Sequence, residues 1–208
     1  MSIFDKIASA VAPAATPEQR AEARRSAESM AQGPDDWLSI ALDHHRRIER
    51  LFEQARSARD ASARRFACRQ LGLVLTGHAN AEESVIYPML AENHTAHAAH
   101  AYQEQAMAKI EMHKLEMLEP MSQEWLDKLE HIQSAVQQHV YEEESEWFGE
   151  VRETLRGAEA VKHSRRFREE FERYCGGGQQ REQPMQMAAQ MNEGGGQRLS
   201  ENDGPNDY

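Results

Sequence analysis

Histidine and glutamate recur along this chain at a spacing that suits a metal ion. The segment His78-Ala-Asn-Ala-Glu82-Glu83-Ser84-Val-Ile86-Tyr87-Pro88 returns 61 residues later as His139-Val-Tyr-Glu-Glu143-Glu144-Ser145-Glu-Trp147-Phe148-Gly149. His, Glu, Glu and Ser recur identically, and each copy then runs through a bulky apolar residue and an aromatic residue into a helix breaker. On an α-helix the i, i+4 spacing stacks His78 with Glu82, and His139 with Glu143, so each face offers an imidazole and a carboxylate together. Such a pair suits iron, manganese or zinc. A single pair on a Glu-rich helix is ordinarily a solvated contact. Two pairs with matching apolar flanks point inward, where an ionisable group is costly to bury unless a metal or a partner satisfies it.

Other metal chemistries have little material. Cys68 and Cys175 form no disulfide framework and no paired-Cys metal spacing, which leaves ten histidines and 35 carboxylates as the donors. With 24 basic residues the net charge is -11, a field that repels phosphate and argues against nucleic acid or an anionic membrane as partner. Apolar runs such as Leu71 to Thr76 stop far short of the ~20 residues that span a bilayer. The first 15 residues lack a continuous apolar stretch, so the expected location is cytoplasmic.

The elements that must position these residues are helices. Ala, Glu, Gln, Arg and Met are plentiful, Val, Ile and Thr are sparse, and the apolar period is helical throughout. One helix is expected from an Asp35 or Asp36 cap to about Arg56, a second from about Ala63 to Leu90 with Pro88 near its end, a third from about Ala96 to Glu119, and a fourth from a Ser122 cap to about Leu155. A fifth would cover Ala158 to Tyr174. Short connections between four long amphipathic helices predict an all-α, up-down-up-down four-helix bundle over residues 35–174. Residues 1–34 read as an N-terminal arm with a short helix from Glu18 to Met30, and residues 175–208, rich in Gly and Gln, as a disordered tail.

Depth in the bundle selects the remaining donors, because antiparallel residues meet when they are equidistant from the loop that joins them. His45 and the His78/Glu82 pair have their midpoint at the polar break Ser57 to Ser62. On the third helix His100 and Glu104 form another His-x-x-x-Glu pair, level with His139/Glu143 about the Pro120 to Ser122 turn. His113 falls out of that layer by roughly 12 Å at 1.5 Å per residue. The layer is then His45, His78, Glu82, His100, Glu104, His139 and Glu143, enough donors for two ions that share carboxylates.

These motifs resemble the hemerythrin-like family, also called the HHE cation-binding domain, over about Asp36 to Arg156. Asp43-His44-His45-Arg-Arg-Ile48-Glu-Arg-Leu51-Phe52 matches its first-helix pattern and favours His45 over His44, while His78 to Glu83 and His139 to Glu144 match its second and fourth helices. The resemblance implies a non-haem iron centre, dinuclear, with manganese as another option, that binds or senses oxygen or a related small oxidant. It also allows a di-iron enzyme removing peroxide or nitric oxide, or an iron storage or sensing protein. The family usually places a His on the third helix right after a Glu; here Gln105 follows Glu104, which leaves His100/Glu104 or Gln105 for that role. Hemerythrins proper place their fourth-helix carboxylate five residues after the His, at Glu144, whereas the repeat and the helix face favour Glu143.

Overall fold

The computed structural model describes residues 14–193, with side chains to residue 176, and every regular element among them is helical. The expected short helix is α1, Pro17–Met30. Its start follows from a capping box: the Thr16 hydroxyl accepts from Gln19 N, the Gln19 side chain accepts from Thr16 N, and Pro17 occupies the first turn, where a missing N–H costs nothing.

Helix α2, Trp37–Ser57, begins at Asp36 as expected, but the Asp36 carboxylate does not cap it. That carboxylate pairs with buried Arg152 instead, and the Ser164 hydroxyl accepts from Trp37 N at 2.8 Å. The Arg152 guanidinium also lies over the Trp37 ring, 4.9 Å from its centroid. Helix α3, Ala61–Asn93, starts at an Asp60 cap and runs straight past Pro88, beyond the expected end at Leu90. The proline forfeits one backbone hydrogen bond, yet Val85, Ile86, Tyr87 and Leu90 around it are all buried, so packing holds the helix through it.

Helix α4 covers Thr95–Glu116. After a Ser122 cap, the fourth expected helix is divided: α5, Gln123–Glu142, passes into a π-helical turn, Glu143–Trp147, and then into α6, Phe148–Thr154. Gly157, at φ 59, reverses the chain into α7, Gly157–Glu193. This last helix runs past Tyr174 and through the boundary expected for the tail at Cys175, which is itself buried. Residues 194–208 of that tail and residues 1–13 of the arm lie outside the described residues.

Helix α3 is the hub, packed against α2, α4 and α7. Its buried Leu71, Val74, Val85 and Ile86 join Leu42, Ile48 and Phe52 of α2, and Leu129 and Ile132 of α5, in one core. Cys68 and Cys175 are buried and free, and burial pushes each thiol up to about 11. On α7, Phe167 is fully buried and stacks near His44 with ring centroids 5.8 Å apart. Phe167→Ala is expected to lower stability in urea unfolding by roughly 3–5 kcal/mol, the usual cost of emptying a buried aromatic site. A loss under about 1 kcal/mol, typical of surface positions, would mean that α7 is not part of the core.

Candidate metal centre

Four of the expected donors converge in the buried middle of the helices. His45 comes from α2, His78 and Glu82 from α3, and Glu143 from the π turn, with ligand atoms within 4.8 Å of one another. The Nε2 atoms of His45 and His78 face each other at 3.1 Å. His45 Nε2 lies 3.2 Å from Glu143 Oε2, and His78 Nε2 lies 3.2 Å from Glu82 Oε1. His139 joins from the far side, its Nε2 3.3 Å from Glu143 Oε1.

The second oxygens of both carboxylates meet around Tyr87. Its hydroxyl lies 2.9 Å from Glu143 Oε1, 3.2 Å from Glu82 Oε2 and 3.2 Å from His139 Nε2. Gln105 on α4 donates its amide to Glu82 Oε2 and to the Tyr87 oxygen, each at 2.6 Å. Each carboxylate therefore spans two groups of donors, His45 with His78 on one side and His139 with Tyr87 and Gln105 on the other.

The π turn gives the neighbouring glutamates different surroundings. An extra residue in that turn widens the helix, so that Glu143 and Glu144 are both buried, on different errands. Glu143 faces the centre. Glu144 stands behind His45 and accepts from Nδ1 at 2.8 Å, which fixes the ring and leaves Nε2 facing inward. Arg24 of α1 holds Glu144 through Nη2 at 3.0 Å and is itself anchored by Glu49. Glu104 does the same for His139, accepting from Nδ1 at 2.9 Å. Phe148, just past the π turn, stacks on the His45 ring at 5.7 Å between centroids.

His100 and Glu104, expected in this layer, are not in the convergent group. His100 is half-buried, with Nε2 3.3 Å from Glu104 Oε1 and 3.4 Å from Glu142 Oε2. The depth is right, since Glu104 touches His139, but the face is wrong. Ala98, Ala101, Gln105, Met112 and Leu115 form the buried stripe of α4, and His100 and Glu104 sit roughly 100° around it, one residue per step. His44 likewise points away, stacked on Phe171 at 3.7 Å, and burial and then the charge of His45 push it down to about 3. His113 is exposed. Arg24 carries no signal in the sequence, and Tyr87 only its place in the repeat, five residues after Glu82.

In the protein alone, protons carry the positive charge of the centre. Burial works against charged His45, yet the Glu143 and Glu144 carboxylates beside its two ring nitrogens push it up to about 9. His139 is likewise raised against burial, by Glu143 and Glu104, and those two imidazolium groups keep the Glu143 carboxyl well below its ordinary range. Burial and the neighbouring Glu143 push Glu82 well above it, and burial and His45 push His78 well down. A divalent cation would replace these protons. The residues fit one: Glu82 Oε1 and Glu143 Oε2 are buried with no hydrogen-bond donor, a costly state that a cation between them and the facing imidazoles relieves. The all-N/O donor set suits iron or manganese.

Residues 38–151 match the family described as Hemerythrin HHE cation binding domain. The chain belongs to this family. A DNA nickase of Nostoc sp. is 28% identical over 117 residues, which are 56% of this chain and 33% of that protein, so the chain spans about a third of the length of that relative. No solved structure matches it. No described helix of this hemerythrin-family chain is long and apolar enough to cross a membrane. Because Glu144 sets the His45 ring, Glu144→Gln is expected to weaken iron binding by about 10–100-fold in a chelator competition, with helix content unchanged. Wild-type affinity in that variant would show that Glu144 does not orient the ligand.

Proposed function

We propose that this chain is a non-haem di-iron protein that binds or senses oxygen or a related small oxidant, with helices α2 to α5 as an up-down-up-down four-helix bundle around the centre. The observation that carries the reading is the division of oxygens: Glu82 and Glu143 each offer one oxygen to each of two donor groups. His45 and His78 would hold one ion, His139 with Tyr87 and Gln105 the other, and the two carboxylates would be shared. Manganese has the same donor preferences and is distinguished by metal analysis. Iron held there supplies reversible electron transfer and an affinity for oxygen, peroxide or nitric oxide.

The chain's own residues set the surroundings. The helices exclude water, since His45, Glu82 and Glu143 have no solvent exposure. The Tyr87 hydroxyl oxygen lies 2.9 Å from Glu143 Oε1, and burial and then Glu143 keep that phenol well above its ordinary range, so in the metal-free protein it serves as a hydrogen-bond donor. A mostly apolar cavity of about 710 Å³ reaches His78, Gln105 and His139 between Leu73, Met112 and Val136, and gives small uncharged molecules an approach. That same cavity, with the Tyr87 hydroxyl behind its wall in contact with Gln105 and His139, is the observation favouring a second reading, removal of peroxide or nitric oxide. DNA cleavage is not part of the proposal, because a chain of net charge -11 repels phosphate and covers a third of the nickase.

The test is anaerobic loading with ferrous iron, metal analysis, and visible spectra under oxygen, after its removal, and with peroxide. The proposal expects about two irons per chain, as a shared-carboxylate centre requires, and an oxygen-dependent band that reverses. Catalytic loss of peroxide would select the second reading. An iron content near zero would refute both.

A further inference from the structure

Two more groups of His and Glu lie between the protein surface and the centre. His94, the residue before α4, and His97, in its first turn, each turn Nδ1 to Glu150 of α6, at 3.2 Å from Oε1 and 3.1 Å from Oε2. One turn further along α4, His100 faces Glu104 and Glu142. In each triad the ligand atoms lie within 4.8 Å of one another, as close as those of the buried centre.

The groups form a file. Glu104 belongs to the second triad through Oε1 and reaches His139 Nδ1 through Oε2, and His139 Nε2 lies 3.3 Å from Glu143 of the centre. Trp147 forms the wall along it, with its ring 6.1 Å from that of His97, 6.2 Å from His100 and 5.7 Å from His139. The two triads are alike in exposure, their imidazoles 34–40% and their carboxylates 18–19% exposed, and burial deepens beyond them, at His139 (9%) and Glu143 (0%). Such a series can remove the water of a hydrated cation in stages, whereas the cavity that reaches His78 and His139 is mostly apolar.

We infer that the two triads His94/His97/Glu150 and His100/Glu104/Glu142 are transient divalent-cation sites, through which ferrous iron is passed inward to the centre. This rests on the proposed iron centre. Each triad offers imidazole and carboxylate donors that match the centre, while half-exposure leaves the ion labile enough to move on. The acidic balance of the chain draws cations to the mouth of the file. The His139 ring, with Nδ1 toward Glu104 and Nε2 toward Glu143, joins the outer sites to the inner one.

The experiment follows ferrous loading of the full chain, stripped of metal, under anaerobic conditions. Samples are freed of loose iron by gel filtration at timed intervals and assayed for iron per chain. In His94→Gln/His97→Gln, and separately in His100→Gln, loading is expected to slow by at least about tenfold, the lower end of what local fields do to capture rates. Final iron content, helix content and unfolding temperature should equal those of the wild type, and His113→Gln, exposed on the same helix outside the file, should load at the wild-type rate. An unchanged time course in both variants overturns the inference, as does a lower final content reached at the wild-type rate. A wild-type chain that takes up no iron refutes the centre itself and is thereby told apart.

Discussion

The rest of this protein depends on two carboxylates held out of water beside three imidazoles. Glu82 and Glu143 are fully buried, and each keeps an oxygen that no donor satisfies. Burying such groups together is expensive unless positive charge is shared among them. The fold answers with His45, His78 and His139 from three different helices, so the helices must pack in one register for the cost to be met. The π turn, the Glu144 and Glu104 carboxylates behind the rings, and the Phe148 ring against His45 all serve to aim those imidazoles.

The centre is asymmetric. On the His45/His78 side two imidazole nitrogens face the shared oxygens; on the other side one imidazole is joined by a phenol and an amide. Membership of the hemerythrin family makes this a cation-binding arrangement, and the departure lies on α4, where Gln105 occupies the inward position. Under the proposed di-iron reading an amide is a weaker ligand than an imidazole, so the two positions would differ in affinity, while the cavity reaches both, through His78 on one side and Gln105 and His139 on the other.

The repeat around His78 and His139 was legible in the sequence because His and Glu stand four residues apart in both copies and their flanks are apolar, although the second copy passes from helix into the π turn. The Ser122 cap was open to reading because it is a local hydrogen bond, and the starts expected at Glu18 and Ala63 fall within two residues of those at Pro17 and Ala61. The inward face of α4 was not. That helix is so rich in alanine that Ala98 and Ala101 bury it without leaving an apolar stripe to read, and the His100/Glu104 pair, at the right depth, took the place of Gln105. The π turn also leaves no mark, because one shifted hydrogen bond needs no special residue. Arg24 reaches Glu144 across 120 positions, a contact only the packed chain reveals.

A shared pair of carboxylates makes a prediction about electrons as well as about binding. Two ferric ions joined through Glu82 and Glu143 would couple magnetically, whereas ions at separate sites would not. Mössbauer spectra of the iron-loaded, oxidised protein recorded in an applied magnetic field test this directly. The account predicts a diamagnetic ground state from a coupled pair. Spectra of isolated high-spin ferric ions, with full magnetic splitting and one iron per chain, would contradict it.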